Sequence, residues 1–465
     1  MSDIVIIGGG PGGYVAAVRA RQLGLTVTLI EQADIGGTCL NRGCIPTKAY
    51  YRHAEVLNVV RKAEAFGIQV PSGTINFSLQ AAYDRKEKVV GQLMQGIKAL
   101  LKGNHVEIIQ GQATIENAHQ VKVNGVLIEA KNILLATGSK NASLPIPGAD
   151  SPGVLDSTAL LELKEVPSSM VIIGGGVISL EFACIFTAFG TEVTVLEYAD
   201  NFLVGMDREI VKRFSVLLNK QGINVITSAN TTAIKPQVES LQIEVHNMKN
   251  QKELVFTADK VLIAAGRQAC LDGVDVGKLG LQLDKRGFIQ VDKHFSTNVP
   301  GIYAIGDVIG GAMLAHVASA EGIAAVEHIA GQDGEIEYDA VPACVFTTPE
   351  IAAVGLTEEA ARERQIAYKT GKFNYLANGK ALGMGATEGM VKILADQNDT
   401  VIGVHILGVH ASDLILEGVL AIREKMKLSA LYQTIHPHPT LSEIFYEAAL
   451  DVNNQAIHKI NKKEK

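Results

Sequence analysis

IVIIGGGPGGYVAAVRARQLGLTVTLIE, residues 4–31, returns at residues 170–197 as MVIIGGGVISLEFACIFTAFGTEVTVLE. The offset is a constant 166 residues, and eleven of the twenty-eight positions are identical. Each copy is an apolar run, a glycine loop, a helix-like stretch, a glycine (Gly24, Gly190), a second apolar run and a closing glutamate. That order is the pattern of a βαβ unit. ILLATG at 133–138 and VLIAAG at 261–266 form a weaker second echo, each a buried-strand pattern ending in a glycine turn. The repeat predicts an α/β chain with two Rossmann-like dinucleotide-binding domains. The first starts at residue 1. The second spans roughly 147–271, opening after the breaker-rich SLPIPGAD at 143–150. FIQVDKHFSTNVPGIYAIGD at 288–307 continues neither repeat. From about residue 341, strand-like runs (VKILA at 391–395, VIGVHIL at 401–407) alternate with helical stretches at 411–426 and 440–451. This predicts an α+β C-terminal domain.

Composition narrows the function classes. Of 465 residues, 47% are hydrophobic and 20% charged, which excludes disorder as the main state. The formal net charge of −7 supplies no basic surplus for nucleic acid or an anionic membrane surface. The first apolar run starts at Ile4 and meets glycine by Gly8 with no basic stretch before it, so it reads as neither a signal peptide nor a span. A cytoplasmic location is therefore expected. Five cysteines (Cys39, Cys44, Cys184, Cys270, Cys344) are too few and too scattered for a secreted disulfide scaffold. Cys184, Cys270 and Cys344 read as ordinary reduced residues. His405 and His410 lack the spacing of a metal site. The closing KINKKEK reads as a solvated basic tail.

Gly8-x-Gly10-x-x-Gly13 lies between a predicted strand and a predicted helix. The first glycine allows a tight turn, the second a close backbone approach to a pyrophosphate, the third close helix–strand packing. The helix N-terminus offers free N–H groups to the phosphates. Glu31, at the end of the second strand, is placed to accept from ribose hydroxyls. In the second copy, Gly174-x-Gly176-x-x-Ser179 is followed by Glu197. Ser179 is small enough to keep most of the packing. Glu197 repels a 2′-phosphate, and Tyr198, Ala199, Asp200 and Asn201 supply no arginine to bind one, which favours NAD over NADP.

GGTCLNRGCIPTK at 36–48 holds Cys39 and Cys44 at a C-x4-C spacing that is unusual for zinc. In a regular helix, residues five apart are ~7.5 Å apart along the axis, whereas a disulfide needs Cα atoms within ~7 Å. The chain between the cysteines must fold back, and Gly43 and Gly36-Gly37 make that feasible. Pro46 suits a helix start, which would put Cys44 at a positive helix end where a thiolate is stabilised.

At this point the chain resembles the pyridine nucleotide-disulfide oxidoreductase family. The resemblance rests on GGGPGGYVAA, GGTCLNRGCIPTK, LLATGS, IIGGGVISLE, AAGR, YAIGD, MLAHVASAEG and IHPHPTLSE, in the family's order between residues 4 and 443. It implies an FAD domain (1–146) carrying the redox disulfide, an inserted NAD domain (147–271), a central segment completing the FAD domain (272–340) and a dimerisation domain (341–465). It implies that Cys44 lies against the flavin and Cys39 exchanges with substrate, with Lys48 near flavin N5 and Glu181 near the nicotinamide. The remaining FAD positions it implies are Gly8, Gly10, Gly13, Glu31, Gly37, Thr38, Ala113, Thr137, Gly138 and Asp307, which would bond the ribitol, with Met313, Leu314, Ala315 and His316 under the ring. The NAD positions are Gly174, Gly175, Gly176, Val177, Ile178, Glu181, Glu197, Ala265, Gly266 and Arg267. No metal is implied.

HPHPTLSE contains two histidines, and spacing alone does not choose between His436 and His438 as a base. A base needs a partner that fixes its tautomer, and Glu443 can provide one across a turn. The family's HPT motif implies His438, working on the other subunit of a homodimer. The family's usual alanine between the two histidines is Pro437 here, which restrains His436.

The activity implied is reoxidation of protein-bound dihydrolipoamide by NAD⁺, serving the lipoyl domains of an acyltransferase or related complex. An NADP-linked glutathione reductase would carry arginines beside the second glutamate. A mercuric reductase would carry a C-terminal cysteine pair, whereas the last cysteine here is Cys344. A soluble transhydrogenase would lack the pair. A non-catalytic cofactor-binding sensor would show a damaged set, yet Cys39, Cys44, Lys48, Glu181, His438 and Glu443 are all present.

Overall fold

The structure is a computed structural model and describes residues 1–71 and 73–461. The first repeat folds as its pattern predicts. Strands Ser2–Ile7 and Val27–Glu31 run parallel, Ile4 opposite Val27 and Ile7 opposite Ile30, and helix Pro11–Gln22 joins them. Ile4, Val5, Ile6 and Leu29 are fully buried, as expected of parallel strands covered on both faces. The second repeat does the same with strands Ser169–Ile173 and Glu192–Leu196 and helix Val177–Phe189.

The likeness extends to five strands. In the first parallel set the order is Glu107–Gln110, Val27–Glu31, Ser2–Ile7, Val126–Leu135, Ile302–Ala304. In the second it is Asn224–Ile226, Glu192–Leu196, Ser169–Ile173, Lys260–Ile263, Val154–Leu155. The weak echo at 133–138 and 261–266 is thus the strand beside the first strand of each unit. An antiparallel excursion precedes it in both: Ala113–Asn117 and Gln120–Val123 in the first, Ala229–Pro236, Leu241–Asn247 and Lys252–Ala258 in the second. The segment 288–307 returns to the first sheet as its fifth strand. The two chain crossings between the sheets pair with each other, Ser139–Asn141 antiparallel to Arg267–Ala269.

One helix contact closes the first unit on itself and another joins it to the second. Helix Pro11–Gln22 packs on helix Ala315–Ile329 through small residues, and a Cβ on Gly322 would sit 2.5 Å from the Gly12 carbonyl oxygen. Helix Val177–Phe189 is apolar nearly all round and buried on nearly every side, as such helices must be. It lies against helix Cys44–Arg61 in one core containing Tyr50, Tyr51, Phe182 and Phe186.

The C-terminal part is α+β. Its sheet is antiparallel throughout, in the order Ala343–Val345, Glu350–Gly355, Val401–Gly408, Met390–Asp396, Tyr368–Asn374. Helix Glu443–Asp451 lies so close to the last strand that a Cβ on Gly371 would meet the Ala448 carbonyl oxygen at 2.2 Å. Two sequence expectations need correction. The helical stretch 411–426 ends at Arg423. The stretch 440–451 becomes helical only at Glu443, whose carboxylate caps the entering chain by accepting the Thr440 N–H at 2.9 Å. Residues 462–465 of the basic tail lie outside the described residues. Among the described residues no helix is long and apolar enough to cross a membrane.

Candidate active site

A single cavity of about 1530 Å³ runs past both glycine turns and the cysteine pair. Ligand pockets are commonly ~300–1,000 Å³, so this one has room for two extended cofactors. Every cofactor position expected from the sequence lines it except Gly13. Its wall also includes Cys270, Cys344 and Phe346, which were not expected there.

The glycines divide their work as the motif chemistry requires. A Cβ on Gly8 would stand 2.2 Å from the Ala136 carbonyl oxygen, and one on Gly174 would stand 2.5 Å from that of Ala264. Both have positive φ, +107° and +110°. A Cβ on Gly10 would meet only Gly37 Cα, at 4.0 Å, and one on Gly176 would meet nothing within 4 Å. These second glycines therefore keep open the space that a pyrophosphate would fill. A Cβ on Gly13 would lie 1.8 Å from the Gly8 carbonyl oxygen, which is why this glycine packs and does not line the cavity. Ser179 is fully buried in the corresponding place, its Oγ donating to the Ala264 carbonyl at 3.3 Å. The closing glutamates also hold the turns. Glu31 accepts the Gly9 and Ala33 N–H groups at 2.6 and 2.7 Å, and Glu197 accepts those of Gly175 and Ala199 at 2.5 and 2.6 Å.

Cys39 sits in the short helix Gly37–Arg42. Gly43, at φ −147° and ψ −108°, breaks that helix, and Cys44 is the first residue of the eighteen-residue helix Cys44–Arg61. The break supplies the fold-back that a continuous helix would forbid. Both residues are free thiols, hydrogen-bonded to each other. The bond from Cys39 lowers the Cys44 thiol to about 7, helped by the Lys48 charge and opposed by burial. The same bond, burial and the negative charge on Cys44 push Cys39 far upward. One proton is held on Cys39, and Cys44 is poised as a thiolate at a helix N-terminus.

Lys48, one turn further along that helix, places Nζ 3.0 and 2.8 Å from the two oxygens of Glu181. Glu181 is the one acid on the buried helix Val177–Phe189, and its Oε1 also accepts the Phe346 N–H at 3.0 Å. The Lys48 ammonium lies 4.4 Å from the centre of the Phe346 ring. Phe346 thus brings the C-terminal part into the site. Nothing in the apolar run PACVF marked it beforehand.

Asp307 accepts the Ser139 hydroxyl at 2.5 Å, and the turn before it is held by Glu321, which accepts the Gly306 N–H at 2.6 Å and the Tyr338 hydroxyl at 2.8 Å. Arg267 lines the cavity, but its guanidinium bonds Ser139 and Asn141 and lies 3.7 Å from Asp307. It joins the interdomain ribbon to the Asp307 turn. Met313 takes a positive φ of 48°, and His316 Nε2 lies 2.9 Å from the Pro342 carbonyl.

His438 and Glu443 do not line the cavity. His438 Nδ1 is 2.8 Å from Glu443 Oε1, and the side chain is 78% exposed. Burial opposes ionisation of Glu443, but the bonds from His438 and the Thr440 N–H outweigh it and lower the carboxyl. A carboxylate accepts, so Nδ1 carries the hydrogen and Nε2 offers a free lone pair outward. His436 has no such nitrogen: Nδ1 faces the Thr434 carbonyl at 2.9 Å and Nε2 faces Glu417 at 3.0 Å. Among the described residues no cluster of metal ligands forms.

Comparison with known proteins agrees with this geometry. Residues 2–322 match the family described as pyridine nucleotide-disulphide oxidoreductase, and residues 341–449 match the dimerisation domain of that family. The chain is 41% identical over 462 residues to the dihydrolipoyl dehydrogenase of Chlamydia trachomatis, covering 98% of each chain. It is 41% identical over 473 residues to the dihydrolipoyl dehydrogenase of Bacillus subtilis, covering 98% of this chain and 99% of that one. Among solved structures, the HOCl-induced flavoprotein disulfide reductase RclA of Escherichia coli superposes with a TM-score of 0.85 at 32% identity, covering 96% of this chain and 99% of that one. With two glycine turns and a polarised cysteine pair on one cavity, and likeness along nearly its whole length, the chain belongs to the pyridine nucleotide-disulphide oxidoreductase family.

Proposed function

We propose that this chain is an NAD-dependent dihydrolipoyl dehydrogenase that reoxidises protein-bound dihydrolipoamide in the cytoplasm. The observation that carries the reading is the unequal cysteine pair: Cys44, lowered to about 7, shares a cavity with both glycine turns. The full-length identity to dihydrolipoyl dehydrogenases supplies the substrate class. Residues 1–146 and 272–340 hold FAD, residues 147–271 hold NAD, and residues 341–465 dimerise.

The residues act in sequence on the disulfide form of the pair. His438, reaching in from the second subunit, takes a proton from the substrate dithiol through Nε2. The substrate thiolate attacks Cys39 Sγ, the S–S bond breaks, and Cys44 leaves as a thiolate stabilised by its helix N-terminus and Lys48. The second substrate sulfur then displaces Cys39, which departs as the thiol, leaving lipoamide oxidised and the pair reduced. Of the two substrate protons, one ends on His438 and one on Cys39. FAD held in the cavity would supply the two-electron redox chemistry that links this pair to NAD⁺. Glu443 holds His438 in the required tautomer. Trans action of His438 is supported by its exposure and by its position outside its own chain's cavity. Lipoyl domains of an acyltransferase or related complex are the partners.

Anaerobic titration of the holoenzyme with dihydrolipoamide, then NAD⁺, tests the reading through the flavin spectrum. The dithiol should change the spectrum within turnover time and NAD⁺ should reverse the change. A flavin that ignores dihydrolipoamide but responds to NADH would refute the substrate assignment.

A further inference from the structure

Two residues before His438, His436 turns inward. Its side chain is 7% exposed, against 78% for His438. Its Nδ1 faces the Thr434 carbonyl at 2.9 Å, its Nε2 faces Glu417 on helix Ala411–Arg423 at 3.0 Å, and its ring lies 5.7 Å from that of Tyr446 on helix Glu443–Asp451. A carbonyl only accepts, so Nδ1 carries a hydrogen. Two bare lone pairs 3.0 Å apart would repel, so a second proton lies between Nε2 and Glu417. Burial favours keeping it, since it raises the Glu417 carboxyl against the opposing pull of His436. Pro437 lies between the two histidines and locks one of the few backbone torsions that separate the anchored imidazole from the exposed one.

We propose that His436 and Glu417 are positioning residues for His438: their shared proton anchors the 434–440 loop to helix Ala411–Arg423 and so sets where the outer imidazole meets the substrate dithiol. Neither residue lines the cavity or touches reacting atoms. The inference rests on His438 being the base. It also gives a use to the inner histidine and to Pro437, neither of which the chemistry at Cys39 requires.

The test is His436→Phe, which keeps a ring beside Tyr446 and removes both hydrogen bonds. In the holoenzyme, kcat for dihydrolipoamide-dependent NAD⁺ reduction should fall about 10- to 100-fold, the size of loss that an ångström-scale misplacement causes. KM for NAD⁺ should stay within about twofold. Reduction of two ferricyanide ions per NADH, which needs neither dithiol nor base, should keep its rate. The conservative variants His436→Gln and Glu417→Gln, which preserve a hydrogen bond across the pair, should recover most of the lost kcat. Should His436→Phe fail to fold, Glu417→Leu carries the same expectation. His438→Ala is measured alongside. If His438→Ala is impaired while His436→Phe and Glu417→Leu turn over like wild type, the positioning inference alone fails. If His438→Ala itself turns over like wild type, the base assignment fails first. An equal fall in the ferricyanide rate would make the pair a folding element and overturn the inference as well.

Discussion

Cys39 and Cys44 are the same residue type, yet the structure holds their protons in opposite ways. Cys44 receives a hydrogen bond, the Lys48 charge and a helix N-terminus, whereas Cys39 faces the resulting negative charge. Because the Cys44 value is lowered, its thiolate survives acidification until about pH 7 and is lost below it. In the reduced holoenzyme the thiolate–flavin absorbance band should therefore fade as pH falls through about 7. Cys39→Ser, which keeps a donor, should retain the band; Cys44→Ser should abolish it; Cys39→Ala, with no donor, should move the midpoint upward. A band that vanishes in Cys39→Ser and persists in Cys44→Ser would reverse the roles. Glu197 makes a second residue-scale claim. Its charge disfavours a 2′-phosphate, so kcat/KM should favour NAD⁺ over NADP⁺ in steady-state kinetics, and equal values would contradict it. Glu197 also holds the Gly175 and Ala199 N–H groups. Glu197→Ala should accordingly narrow the gap and raise KM for both nucleotides.

At the scale of elements, the glycine turns show which parts of the fold were legible in the amino-acid sequence. Gly8, Gly10 and Gly13 could be assigned separate tasks because each task follows from the lack of a Cβ, and the distances around them agree. Gly13→Ala would force a carbon to within 1.8 Å of the Gly8 carbonyl oxygen. It should yield protein that emerges from gel filtration with little FAD per chain, whereas Ser179→Gly in the other unit should keep its FAD. Normal flavin content in Gly13→Ala would contradict the packing role. The start of helix Cys44–Arg61 was legible from Pro46, and the fold-back between the cysteines from Gly43. Other features were not. Strands Ala343–Val345 and Tyr368–Asn374 escape a sequence reading because the first is only three residues long and the second is interrupted by Gly371, so periodicity has little to act on. Phe346 enters the site through its main-chain N–H and a ring against Lys48, and both depend on a tertiary contact between distant parts of the chain that no local pattern marks.

For the whole molecule, the repeat visible in twenty-eight residues proved to be a repeat of five strands in the same order. Its fifth strand comes from opposite directions along the chain, from 302–304 in one unit and 154–155 in the other. That asymmetry nests the second unit inside the first and sets both glycine turns on one cavity. The proposed place of His438 belongs to the same scale. It is exposed and absent from the cavity of its own chain, and the segment around it matches a dimerisation domain. In the proposed dimer each site combines the cysteine pair of one subunit with His438 of the other. The direct measurement is complementation: inactive His438→Ala and inactive Cys39→Ser chains are unfolded and refolded together, heterodimers are verified by mass, and dihydrolipoamide-dependent NAD⁺ reduction is assayed. One site of each heterodimer then holds a wild-type pair and a wild-type histidine, while the other holds neither. Removal of a general base costs about 10²–10⁴-fold, so activity should rise far above either parent, towards half that of wild type. Verified heterodimers as inactive as their parents would contradict the shared site.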